Sequence, residues 1–338
     1  MSLRLGLLGL MLASGFAGLG YQLVWTQQMG LWLGHETAAV LAVVAAFFGG
    51  LALGGLVLGQ RIERSLQPWR WYVACEAVIG LWALLLGVAL HPVGDALLNW
   101  IGPDPSALRQ WVLAFGGVLA CLLPATVAMG ATLPAMERAR AQAVGGPREV
   151  AGLYAANTLG AVLGVLAAAF WLLPALGLGQ TERVCAGLNL ACAAGGAWLL
   201  GRRSAHVAVP PSAGATSPPS STMRVQRHPE GRWRLACTGL LGIAYEVLVV
   251  RVISQVAEDT VYTFALLLAV YLVGTALGAA VWQRWRGAWT GQGCVVDAAL
   301  VRDRLLVALG VAVLLGMAGL YAAPALVDGG RGPGQGMT

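Results

Sequence analysis

SGFAGLGYQLVW, residues 14–25, returns as TGLLGIAYEVLV at 238–249. Gly50-Leu51-Ala52-Leu53-Gly54 returns as Gly274-Thr275-Ala276-Leu277-Gly278, at the same offset of about 224 residues. Two motifs repeated at one offset describe a duplicated architecture rather than a chance match. Each copy is set in an apolar run of membrane length, so the repeat concerns a membrane fold.

Composition supports that solvent. The chain has 338 residues, 58% hydrophobic and only 11% charged, less than half the charge of an ordinary soluble domain. About nine apolar runs are long enough to cross the bilayer as helices, near 5–25, 37–59, 71–91, 110–134, 151–173, 183–200, 233–253, 260–282 and 304–324. The expected class is therefore all-α and polytopic. The first run is read as a retained helix rather than a signal peptide, because no small-residue cleavage site closes it and its duplicate is internal.

All 21 basic residues are arginine, and they alternate between loops. Arg4, then Arg61, Arg64 and Arg70, then Arg138, Arg140 and Arg148 mark one side, continued by Arg202 and Arg203 and by Arg284 and Arg286. The opposite loops hold little beyond Arg109 and Arg183. The positive-inside rule then places the N-terminus in the cytoplasm of an inner-membrane protein, and nine crossings place the C-terminus outside. The net charge of +6 is a topology signal that meets anionic lipid head groups, and no nucleic-acid partner is expected. Trp71, Trp100, Trp111, Trp282, Trp285 and Trp289 near helix ends read as interfacial anchors.

One compositional break divides the chain. Residues 201–232 contain VAVPPSAGATSPPSS, a Pro/Ser-rich stretch that cannot pack a core and is read as a cytoplasmic linker. It separates a six-helix half, 1–200, from a partial second half, 233–338, with three helices. Because the second copy starts after an even number of crossings, the two copies enter the membrane in the same direction. That is the parallel-repeat plan of major-facilitator-type transporters, with the second half incomplete.

Within the runs, Gly50 and Gly54, Gly55 and Gly59, Gly160 and Gly164, and Gly274 and Gly278 sit four apart, the spacing that lets helix backbones approach. Helix packing and flexing in a transport cycle are both compatible with it. Pro124, Pro134 and Pro174 mark kinks or ends.

Ionisable and polar residues at membrane depth are the candidate functional set. Glu246 and Arg251 lie on the second copy, where the first copy carries Gln22 and Gln27. The charges come and go together, which suggests a shared electrostatic network; a substrate or proton role for Glu246 is the alternative. Tyr21 and Tyr245 keep a hydroxyl beside these positions and read as interhelical hydrogen bonders. Glu76 lies close enough to a helix start to reach the head groups, and Asn157 is deep enough to bond across a helix interface. Glu36 with Thr37, and Glu258 and Asp259 with Thr260, suit the starts of the second helix of each copy.

Reactive chemistry is not indicated. The six cysteines are scattered without a Cys-x-x-Cys pair, and His35, His91, His206 and His228 form no ligand pattern. No catalytic residue, metal or cofactor is expected.

SGFAGLGYQLVWTQQM, AAFFGGLALGGLVLG, MGATLP at 129–134, LYAANTLGAVLG at 153–164, AYEVLVVR and LLLAVYLVGTALG also resemble, in order, the membrane region of bacterial fused spermidine-synthase-like proteins. That resemblance covers most of residues 10–282. It implies a membrane region commonly joined to a soluble aminopropyltransferase-like domain with a Gly-rich nucleotide loop and a catalytic Asp. DGGRGPG at 328–334 follows a membrane helix and lacks the strand–loop–helix setting of such a loop. The resemblance thus implies a transporter-like or scaffold module handling polyamines or related metabolites. The alternative is the membrane domain of an aminopropyltransferase-like enzyme whose catalytic part is on a partner. The expected partners are the bilayer and either an enzyme or a second copy of the chain.

Overall fold

The computed structural model describes residues 3–33, 36–102, 106–144, 150–206, 229–256, 261–291 and 298–330. Every regular element among them is helical: α1 (Leu3–Leu33), α2 (Glu36–Leu53), α3 (Gly59–Arg64), α4 (Pro68–Ile101), α5 (Ala107–Val144), α6 (Val150–Ala167), α7 (Leu173–His206), α8 (Pro229–Val256), α9 (Val261–Gly291) and α10 (Ala298–Gly330). The reason is the solvent. In hydrocarbon every backbone N–H and C=O must find its partner within the protein, and a helix satisfies them within one segment.

Six helical stretches among the described residues are long and apolar enough to cross a membrane, and the protein is an all-α, polytopic membrane protein. One of them, Ala151–Arg202, runs for 52 residues. At about 1.5 Å per residue it would measure about 78 Å if straight, more than twice the hydrocarbon thickness. It is not straight. Gly177 adopts φ 74° and ψ 177°, a conformation open to glycine because it has no Cβ, and the chain breaks there into two rods. Just before the break, a π-helical turn spans Ala168–Leu172. Pro174 explains it: the ring would collide with the carbonyl of Phe170, four residues back, and widening the turn relieves the clash. A second π-turn, Gly54–Leu58, joins α2 to α3. Pro124 and Pro134, by contrast, lie within α5, which continues through both.

The chain divides into two compact units, Met1–Arg224 and Val225–Thr338. In the first, α1 packs against α2, α6 and α7, α5 packs against α2 and α4, and α7 packs against α4 as well as α1. The core so formed includes Leu7, Met11, Trp25, Phe47, Tyr72, Ile79, Leu122 and Met136. Outward faces are apolar too: Leu31 is 79% exposed, Val88 78% and Trp171 73%. Such surface is costly in water and suited to lipid. Trp100 and Trp111 are exposed at the facing ends of α4 and α5, whereas Trp71 is half-buried against the core.

Glycine sets how closely two pairs of helices approach. A Cβ on Gly160 or Gly164 would strike the backbone of Leu12 or Phe16, and one on Gly15 would strike Asn157; α1 and α6 are in backbone contact there. Gly54 and Gly130 do the same for α2 and α5. The packing reading holds for Gly50 with Gly54 and for Gly160 with Gly164. Gly59, Gly274 and Gly278 have open space where a Cβ would go among the described residues.

In the second unit α8 packs against α9 and α10, and Phe264, Ala265, Leu268 and Ala269 on α9 are buried. The side chains of Glu36, Thr37, Trp282, Trp285 and Trp289, residues Glu258, Asp259 and Thr260, and residues 207–228 of the Pro/Ser-rich stretch lie outside the described residues.

Candidate functional site

The polar groups of the first unit gather where α7 lies against α1 and α4. On α7, Glu182, Cys185, Asn189 and Cys192 follow one another at intervals of three and four, which puts them on one face. On α1, Ser14, Tyr21, Trp25 and Gln28 share a face by the same rule, and on α4 Tyr72 and Glu76 are one turn apart.

The upper end of this seam is built on Glu182, which is 1% exposed. The local fold places it there. Thr181 donates its hydroxyl to the Gly177 carbonyl at 2.8 Å, one turn back at the start of the rod that carries Glu182. Trp25 Nε1 donates to Glu182 Oε1 at 2.8 Å, and Gln28 Nε2 donates to Oε2 at 3.2 Å. From α4, Gly87 leaves room for the carboxylate: a Cβ there would stand 3.2 Å from Oε2. Tyr21 stacks on Trp25 with ring centroids 4.8 Å apart.

The lower end is built on Glu76, which is 0% exposed. Asn189 Nδ2 donates to Glu76 Oε2 at 2.6 Å. The hydroxyls of Ser14 and Tyr72 lie close to the same carboxyl; even so, Glu76 Oε1, Tyr72 OH and Asn189 Oδ1 are buried with no hydrogen-bond partner. The same is true of Tyr21 OH and Gln28 Oε1, so five of the eight buried, unpartnered side-chain polar atoms among the described residues belong to this seam. Buried polar groups are nearly always paired, and a concentration of unpaired ones marks a place where something else binds or water enters.

Glu76 corrects a sequence expectation. It was expected to reach the head groups from a helix start, but α4 begins at Pro68 and turns Glu76 inward against α7. Tyr21 and Gln22 are also buried; Tyr21 faces the seam, and the Gln22 amide nitrogen has no partner. Asn157 is half-buried on α6 at the α1 contact. In the second unit Tyr245 places its hydroxyl against Gly316 of α10. Glu246 is half-buried with Oε2 unpartnered, and Arg251 is exposed on the same helix.

Sequence reasoning missed Glu182 and Asn189. Glu182 was expected to precede the sixth run, which the early start of α7 brings it into. The available signal was the polar Glu182, Cys185, Asn189, Cys192 stripe in an otherwise apolar helix. No group of three or more His, Cys, Asp or Glu side chains is placed to hold a metal ion among the described residues. A separate cleft of about 360 Å³ opens between α3 and α5, lined among others by Gln60, Glu63, Glu137 and Arg138.

The chain is similar to polyamine aminopropyltransferases of Mycobacterium tuberculosis, strains CDC 1551 / Oshkosh and H37Rv, and of Mycobacterium bovis, strain AF2122/97. Each is 29% identical over 191 residues, 56% of this chain and 35% of the relative. The chain thus spans about a third of the length of the curated relatives it matches. No protein-family model matches it, and no solved structure does.

Proposed function

We propose that the chain is a transporter-like inner-membrane module that handles polyamines or related small cationic metabolites. The observation that carries this reading is the pair of fully buried glutamates, Glu76 and Glu182, held between helices α1, α4 and α7, whose hydrogen-bond donors among the described residues are the neutral Trp25, Gln28 and Asn189. Acids at membrane depth are expensive, and they recur where a cationic cargo or a coupling ion passes. The similarity to proteins named as polyamine aminopropyltransferases directs the choice of cargo.

The architecture proposed is nine crossings with the N-terminus in the cytoplasm, built as a parallel repeat. Its support is that the two copies of the repeated motifs fall on the first two long helices of each unit, α1 and α2 in one and α8 and α9 in the other. In such a plan Asn157 is a polar candidate of the first unit, and Tyr245 and Glu246 are those of the second. Uptake of labelled polyamines into vesicles reconstituted with the protein tests the reading. Flux above empty vesicles, lost in Glu182→Gln, is expected; no flux for polyamines removes them as cargo.

A second reading follows from the name the relatives carry. The chain would then be the membrane domain of an aminopropyltransferase-like enzyme whose catalytic part is supplied by a partner. Co-purification from native membranes with an aminopropyl-transfer assay addresses it, and absence of both partner and turnover counts against it.

A further inference from the structure

Glu76 and Glu182 sit in the same seam, but their hydrogen-bonding states differ. Both oxygens of Glu182 accept from N–H donors, Trp25 and Gln28. Glu76 accepts from one, Asn189, and its second oxygen is bare. Around that carboxyl the unpaired atoms are all oxygens: Glu76 Oε1, Tyr72 OH and Asn189 Oδ1, contributed by α4 and α7, with the Ser14 hydroxyl from α1 nearby. An amide oxygen and a carboxylate oxygen can only accept, and a phenol can do either. Ser14 and Tyr72 can each turn a hydroxyl hydrogen toward the carboxyl, but no positive charge stands among these groups to balance it.

The charge balance narrows the occupant. The groups that face Glu76 are Ser14 and Tyr21 from α1, Tyr72 and Cys75 from α4, and Asn189 and Cys192 from α7; none is basic. An ionised carboxylate in a dry interior costs several kcal/mol unless its charge is compensated. One carboxylate compensates one positive charge, and a divalent ion would leave a buried excess. Oxygen donors suit a hard cation. We propose that Glu76, Asn189 and Tyr72 form an internal site for a monovalent cation, a proton or an alkali ion, between α1, α4 and α7. Glu182 stands seven residues from Asn189 along α7, about 10 Å, and is not part of this site. The assignment does not depend on the chain moving a polyamine, because its tests read occupancy and not flux.

The test uses the full chain in lipid nanodiscs. Thermal unfolding is followed in sodium, potassium and choline chloride at equal ionic strength, and infrared spectra are recorded across a pH series. An alkali-ion site gives a saturable rise in Tm over choline that Glu76→Gln abolishes. A proton site gives no such rise and shows instead a protonated-carboxyl band that titrates with pH, is lost in Glu76→Gln and persists in Glu182→Gln. Should Glu76→Gln fail to fold, Tyr72→Phe removes one oxygen and keeps the carboxyl. It is expected to raise the half-saturating ion concentration about tenfold, or to move the titration midpoint by about one pH unit. Unfolding that is indifferent to the cation, together with no titrating band assignable to Glu76, overturns the proposal. So does a Tyr72→Phe protein that behaves as the wild type.

Discussion

Trp25 on α1 donates its indole N–H to Glu182 on α7 across 2.8 Å, in a contact closed to solvent and 157 residues apart in the chain. Indole is a donor without acceptor capacity, and a carboxylate is an acceptor without a donor, so each answers the other's requirement at the point where α7 resumes after Gly177.

Trp25→Phe should therefore cost more than Glu182→Gln. The phenylalanine keeps the stack with Tyr21 but leaves Glu182 Oε1 buried and bare, a loss of about 1–3 kcal/mol. Glutamine at 182 retains an acceptor oxygen for the indole. Unfolding of the purified protein in detergent, compared for the two variants, reads the difference; equal stability would show that the bond contributes nothing net.

Asn189 and Glu76 should be energetically coupled. Removing the Asn189 amide leaves the carboxyl of Glu76 without its one N–H donor, whereas the same change made beside Glu76→Gln leaves a neutral side chain. A double-mutant cycle of Asn189→Ala and Glu76→Gln is expected to give a coupling of about 0.5–3 kcal/mol. Additive effects would separate the two residues.

The glycine pairs should divide by environment. Gly160→Ala drives a methyl into the Leu12 backbone and is expected to destabilise by about 1–3 kcal/mol. Gly274→Ala meets open space and restricts the unfolded chain, so it should leave stability unchanged or raise it by about 0.5–1 kcal/mol. Unfolding midpoints of the two variants check this; a loss at Gly274 would mean that a helix or another copy covers that face.

Four cysteines, Cys75, Cys121, Cys185 and Cys192, are buried and should resist a membrane-impermeant maleimide until the protein unfolds. Mass spectrometry of labelled and denatured samples would locate the adducts. Rapid labelling of Cys185 or Cys192 in the folded protein would mean that the seam opens to water.

Much of the fold was legible because lipid imposes a coarse rule: long apolar runs become helices, and small residues spaced by four mark where they meet. Gly160 and Gly164 obey it on α6, where the α1 backbone lies against them. The rule weakens at run ends. Glu182 falls one residue before the sixth run read at 183–200, and the rod that follows the break at Gly177 carries the acid inward. Glu76 looked able to reach the head groups because distance from a helix end is visible in a sequence, while the direction a side chain faces is not.

What the chain determined by itself is its solvent and its grammar: the apolar runs, the arginine alternation and the repeated motifs at 14–25 and 238–249, which are local properties of composition and spacing. Tertiary structure decided which polar residues share one interior. Asn189 and Glu76 lie 113 residues apart, and no local signal pairs them. They meet because α7 packs against α4 with its polar stripe inward, and the unpaired oxygens left around Glu76 follow from that packing alone.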